Sequence, residues 1–528
     1  MTSLQEGELR MKVDSQAFGH ANVPAIAFFL LFVGITLLIT YWAARQTKST
    51  DDFLAAGHRI TAGQNGVALA GDFVAAAGFL GITGLISIAG FDGFFYAVGG
   101  VIGWPLMLFL FGEPLRNLGK YTLGDVLELR LGNRNIRLVV SVNSLIIVLS
   151  YLVMQLIGAG NLIHLLFGIS YTSAVMIIGA CMLVYVLFGG MVATTWVQII
   201  KAALMIGGAL GMAVMALARF DFNPLHLFAA AAALNGADIL GPGKLITSSI
   251  EAVSLGLALV LGVASLPHVL MRFFTVPDGR AARMSIFYAT AVIVLFMLLT
   301  AILGFAAMVL VGRGAIIGMD RGGNMAVPML AEQLGGTVLL GFIAAVSFAT
   351  ILAAVSGLMI TGVGTLAHDI WTMVVRRGIE AHGQQMSVAR ISTVLLAIIA
   401  VGCALGLKGQ NVAFMVGLAT AVAAAANFPA IFLAVYWRRY SYAGAVAGML
   451  TGLCSSLILI YFSPTIQIDV LKHASAWFPL RNPGIVTIPL AFVVSIVVSV
   501  LTYRVEGCDY AAIERDAILG DGGAEYGH

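Results

Sequence analysis

Thirteen stretches of this chain are apolar for long enough to cross a lipid bilayer, and that feature excludes most folds. They lie near 23–44, 64–89, 94–115, 137–168, 172–190, 194–218, 250–271, 284–312, 337–367, 389–407, 411–436, 442–462 and 485–503. An α-helix rises 1.5 Å per residue, so about 20 residues cover the roughly 30 Å of hydrocarbon. Lipid offers no hydrogen-bond partners, so each stretch closes its backbone bonds internally, as a helix. Composition agrees. Of 528 residues, 60% are hydrophobic and only 10% charged, against about 25% charged in soluble domains. The chain reads as an all-α membrane protein with the bilayer as its solvent. Its net charge of +3 gives no reason to expect nucleic acid.

Charge bias orients the spans. With the N-terminus outside, 19 of the 28 basic residues fall on the inner side, Lys201 among them, and nine on the outer side. That excess obeys the positive-inside rule. Residues 1–22 then form an outer, periplasmic segment, 23–503 the membrane domain and 504–528 a cytoplasmic tail. A tail of this length is too short for a catalytic or signalling module. Cys181, Cys403, Cys454 and Cys508 form no CxxC pair, so they read as buried spacers rather than as a zinc site or disulfide framework.

Asp72 is the residue most in need of explanation. It lies eight or nine residues into the second span, roughly 12 Å deep at helical rise. A carboxylate there costs about 2.5–3.5 kcal/mol on insertion scales, so it must face a cavity, an ion or a partner. Gly71, Gly78 and Gly81 flank it and weaken the helix. A broken helix with free carbonyls is one way transporters build a cation site. The seventh span is similarly interrupted, by Gly256, Gly262 and Pro267. Paired interruptions five spans apart suggest two inverted repeats, about 64–218 and about 250–436.

Other polar residues are more ambiguous. Glu251 reads as a rim residue or a solvated helix start, and His268 as a packed histidine near the inner mouth. Tyr151 and Gln155 share a helix face, lining a path or bridging helices. Ser347, Thr350, Ser356 and Thr361 run along the ninth span, where hydroxyls often bond back to the i−4 carbonyl. A membrane enzyme would need a deep catalytic pair, and no second acid stands at Asp72's depth, so no catalytic residue and no cofactor is expected.

The chain resembles the sodium:solute symporter family, and within it the cation/acetate (monocarboxylate) symporters. The resemblance runs from about Thr50 to Tyr440. It rests on Asp51-Asp52-Phe53 with Gly57, on Tyr121-Thr-Leu-Gly-Asp125, and on Gly189-Gly190-Met191 with Trp196. It continues in Leu266-Pro267-His268-Val-Leu-Met-Arg272 and in Asn427-Phe428-Pro429 with Trp437-Arg438-Arg439. It implies a LeuT-like fold of two inverted five-helix repeats plus additional helices, in a bacterial cytoplasmic (inner) membrane. It implies cation-coupled symport of acetate, propionate, pyruvate or a similar solute, with room for a small companion subunit.

The resemblance also implies a site. The family's sodium ligands map to the main-chain carbonyls of Ala70, Phe73 and Thr350. Two hydroxyl ligands would be counted back from Asp369 to Ala353 and Ala354, whose side chains carry no oxygen. The coupling ion is therefore left open between sodium and a proton. A buried carboxyl holds its proton more readily than an exposed one, so Asp72, with Ser347, is a candidate for ion coupling. Tyr96, Tyr151, Gln155, Leu259, Gly262 and Val263 would flank a small, partly apolar solute. The alternatives are a symporter for another small solute, such as an amino acid or urea, and a receptor-like sensor without its own output domain.

Overall fold

A computed structural model describes residues 23–44, 56–119, 121–188, 191–377, 382–503 and 510–520. The 1–22 segment, most of the 504–528 tail, Cys508, the Asp51–Phe53 motif and Gly189–Gly190 lie outside the described residues. Among those described, every regular element is helical. Ten helices are long and apolar enough to cross a membrane, and one bent pair makes eleven. Helices at Val23–Ala44 and Tyr171–Phe188 occupy the two other apolar stretches. The protein is a multi-pass membrane protein, and large apolar side chains such as Phe109, Ile391 and Leu501 face outward, as a lipid-facing surface requires.

The second span is broken. Ala62–Phe73 and Ala77–Ala89 meet at an angle of 52°. Its first half starts on a capping box, in which Thr61 N–H donates to Gln64 Oε1 at 3.1 Å, satisfying an end that helices otherwise leave open. The glycines serve close approach as much as flexibility. A Cβ on Gly71 would stand 2.9 Å from the Gln198 carbonyl, and one on Gly81 2.5 Å from Ala413 N. Small residues that let backbones approach are the usual cement between membrane helices.

The seventh span breaks as well. Ser249–Val263 ends, Leu266 is extended, and a short helix restarts at Pro267. Backbone freed by such a break needs partners in lipid. Asn427 Nδ2 donates to the Ser265 carbonyl at 3.3 Å, and Ser265 Oγ donates to the Ala423 carbonyl at 3.0 Å. The two broken spans are also tied together by hydrogen bonds around Asn65. Asn65 Nδ2 donates to the Arg272 carbonyl at 3.0 Å, and Thr275 Oγ1 donates to Asn65 Oδ1 at 3.2 Å.

Two sequence expectations need correction, for Lys201 and for the cysteines. Lys201 is no loop charge: it sits inside the Met191–Ala218 helix and is 1% exposed. Asp72 is partly buried, while Asp92, in the first turn of its helix, and Asp369 are fully enclosed. Asp92 is held by the N–H groups of Gly243, Leu245 and Ile246, which stand in for water around its carboxyl group. Cys181, Cys403 and Cys454 are unpaired and exposed on the outer face, where a small apolar side chain meets lipid without cost.

Candidate transport site

The break in the second span opens onto a cavity of about 630 Å³, counted to its mouth. Seven of the residues expected at the site line it: Asp72, Phe73, Tyr96, Tyr151, Gln155, Leu259 and Val263. They come from the two broken spans, from Phe91–Leu110 and from Ile136–Phe167. The walls are mainly apolar, with Ala77, Ile82, Ala413 and Val416 completing them. Gly262 is not part of that lining. A Cβ there would stand 2.2 Å from the Thr420 carbonyl, so its position serves helix packing.

A smaller space of about 350 Å³ adjoins the first. The two share Asp72, Tyr151, Gln155 and His268, and the smaller one adds Arg272 and Ala354. His268 is therefore a lining residue, its ring 4.8 Å from that of Tyr151. Several polar atoms here have no partner among the described residues: Gln155 Oε1, His268 Nδ1 and Arg272 Nη2. Buried donors and acceptors are seldom left unpaired, so a ligand that satisfied them would gain from each bond.

Asp72 is already partnered. Arg272 Nε forms an ion pair with its Oδ2, and Gln198 Nε2 donates to its Oδ1. Arg272 also reaches Thr195 Oγ1 at 3.2 Å. Both partners were missed from sequence, since they lie 126 and 200 residues from Asp72 in the chain. Arg272 is 1% exposed.

The implied sodium ligands have a different arrangement from the one the family pattern suggests. The Ala70 carbonyl accepts the Val74 N–H at 2.9 Å. The Thr350 carbonyl accepts Lys201 Nζ at 3.0 Å, while the Thr350 hydroxyl donates to Val346. Ala353 and Ala354 are buried beside them and offer no oxygen. Ser347 Oγ is buried and has no partner among the described residues. As they stand, these residues do not fit a sodium ion at this position.

A second charged cluster lies around Arg137. Ligand atoms of Asp125, His368 and Asp369 lie within 4.8 Å of one another. The position a cation would take is filled by Arg137 Nη1, 2.7 Å from Asp125 Oδ1 and 2.9 Å from Asp369 Oδ1. Thr122 Oγ1 donates to Asp369 at 2.9 Å. Burial pushes the Asp125 carboxyl up, but His368 and the Arg137 guanidinium beside it outweigh that and hold it well below the usual carboxylate range.

Residues 53–452 match the sequence pattern of the sodium:solute symporter family. The fold is similar to that of a Na+-coupled sialic acid symporter, solved substrate-bound and outward-open, at 16% identity and a TM-score of 0.73, covering 90% of this chain and 97% of that one. It is also similar to Mhp1, a nucleobase-cation-symport-1 family transporter, at 12% identity and a TM-score of 0.54, covering 89% and 100%. At these identities the likeness speaks for the fold alone, the two inverted repeats expected from sequence. The family match covers most of the chain, and on that ground the protein belongs to the sodium:solute symporter family, a family of membrane transporters.

Proposed function

We propose that the protein carries a small monocarboxylate, such as acetate, propionate or pyruvate, across the membrane by cation-coupled alternating access. The observation that carries this reading is the lining of the two joined spaces. An apolar outer wall leads to Tyr151, Gln155 and His268 and ends on Arg272, whose Nη2 is free among the described residues. A short acyl chain matches the wall formed by Leu259, Val263 and Val416. The carboxylate matches the guanidinium, which pairs well with carboxyl groups. Few hydroxyls could be satisfied on that wall, which counts against a sugar.

In this reading Asp72 holds Arg272 in place and keeps it from binding the solute too tightly. The bundle of the second, third, seventh and eighth spans, drawn from both repeats (about 64–218 and about 250–436), rocks against the rest around the cavity. The N-terminus lies outside, and the membrane is a bacterial cytoplasmic membrane. The Arg137 cluster joins Asp125 to Asp369 across 244 residues of chain and serves as an inner latch.

Counterflow tests the carboxylate reading without any assumption about the driving ion. Proteoliposomes loaded with unlabelled acetate or pyruvate are diluted into trace labelled solute. Transient accumulation of label is expected. Its absence with every short monocarboxylate, in vesicles that contain folded protein, would remove the reading.

A further inference from the structure

We infer that the ammonium of Lys201 is a built-in substitute for a sodium ion at the Thr350 position. This deepens the symport reading and rests on it for the nature of the solute. Three independent features of the chain converge on the point. The Thr350 carbonyl is occupied by Lys201 Nζ at 3.0 Å. The next turn of the same helix carries Ala353 and Ala354, where sodium would need oxygen. Lys201 is 1% exposed inside a membrane helix, a position in which a charge persists only with partners or a function.

The geometry explains how the lysine reaches the site. Gln198 and Lys201 lie three residues apart and so share one face of the Met191–Ala218 helix. Gln198 donates to Asp72 on the broken span, and Lys201 donates to Thr350 on the ninth. One helix thus spans the gap between the two elements that a bound sodium would otherwise bridge. Ammonium and sodium are both monovalent cations that seek carbonyl oxygen, and the two cannot share the same lone pairs. A lysine here supplies the cross-link permanently.

The helix of Lys201 packs against Ala62–Phe73, Gly279–Ala307, Ala326–Gly364 and Val23–Ala44. The charged groups that act on Lys201 are Asp72 and Arg272. Any sodium used by this transporter binds elsewhere than at the Thr350 carbonyl.

Equilibrium binding of labelled sodium ion to the purified full-length protein tests the assignment, and it needs no solute. The wild type is compared with the triple variant Lys201→Ala, Ala353→Ser, Ala354→Ser. The variant is expected to bind one more saturable sodium per chain than the wild type. Equal binding by both proteins, with the variant melting within a few degrees of wild type, would overturn the proposal. If the triple variant does not fold, Lys201→Met in wild-type background decides. Exchange of solute is then expected to fall by about ten-fold or more at any sodium concentration, the loss of one buried charged hydrogen bond. Full activity with an unchanged sodium response would count equally against it. Failure of carboxylate transport with a gain in sodium binding would refute the choice of solute and leave the lysine assignment standing.

Discussion

Lys201 Nζ and the Thr350 carbonyl meet at 3.0 Å although 149 residues separate them in the chain. The contact joins the sixth and ninth spans at the depth where the second span breaks. It sits one helical turn along Lys201's own helix from Gln198, which holds Asp72. A parallel case stands elsewhere in the fold, with Arg137 filling the place between Asp125 and Asp369. In both places the chain supplies its own cation where oxygen atoms gather.

The Asp72–Arg272 pair sets a first prediction. Arg272→Gln leaves a buried carboxylate without its counter-charge, and breaking such pairs costs about 3–5 kcal/mol. Its melting temperature in detergent should fall by several degrees. Asp72→Asn with Arg272→Gln should recover most of that loss, because neither charge is then orphaned. Neither variant should accumulate solute. If the double variant melts no higher than the single one, the pair is not the source of the cost.

Asp72→Asn alone keeps the shape and removes the charge. Gradient-driven accumulation of acetate should then be lost, under a sodium gradient and under a pH gradient alike. Accumulation at the wild-type level would take Asp72 out of the transport mechanism.

The cavity wall sets the solute's size. Val416 lines the cavity and is only partly buried, so Val416→Phe should fill the end that receives the acyl chain. Propionate and pyruvate should lose affinity by about ten-fold or more relative to acetate, the scale on which pockets discriminate a methylene. Competition against labelled acetate measures this. An equal effect on all three would place the acyl chain elsewhere.

Arg137→Ala tests the inner latch. It leaves Asp125 and Asp369 facing one another with His368 as their remaining basic neighbour, which predicts a loss of about 3 kcal/mol, read as a lower melting temperature. Arg137→Lys should recover part of it, since it restores charge without the two-pronged geometry. Equal melting of all three proteins would show that the latch carries no stability.

Much of this was legible in the residues themselves. Hydropathy located the apolar helices because lipid forces each to close its own backbone. The glycines around Asp72 and Pro267 marked both broken spans. Tyr151 and Gln155, one turn apart, do face the same cavity. The partners of Asp72 were not legible, because helical periodicity reports a face and says nothing of which distant helix that face meets. Lys201 was counted among loop charges, since a charge eight residues into an apolar run can still belong to a boundary. Ala353 and Ala354 raised the question of what replaces two oxygens, and Lys201 is the answer only once the sixth and ninth spans are side by side. Gly262 read as a pocket residue by register, but the Thr420 carbonyl fills the space beside it.

The most direct test of the account is the initial rate of labelled acetate exchange in proteoliposomes, with sodium replaced by choline on both sides at fixed pH and zero potential. With Lys201 holding the Thr350 carbonyl, Lys201→Met is predicted to exchange solute about ten-fold or more slowly than wild type, in sodium and in choline alike. A Lys201→Met rate equal to that of wild type in both media would contradict it.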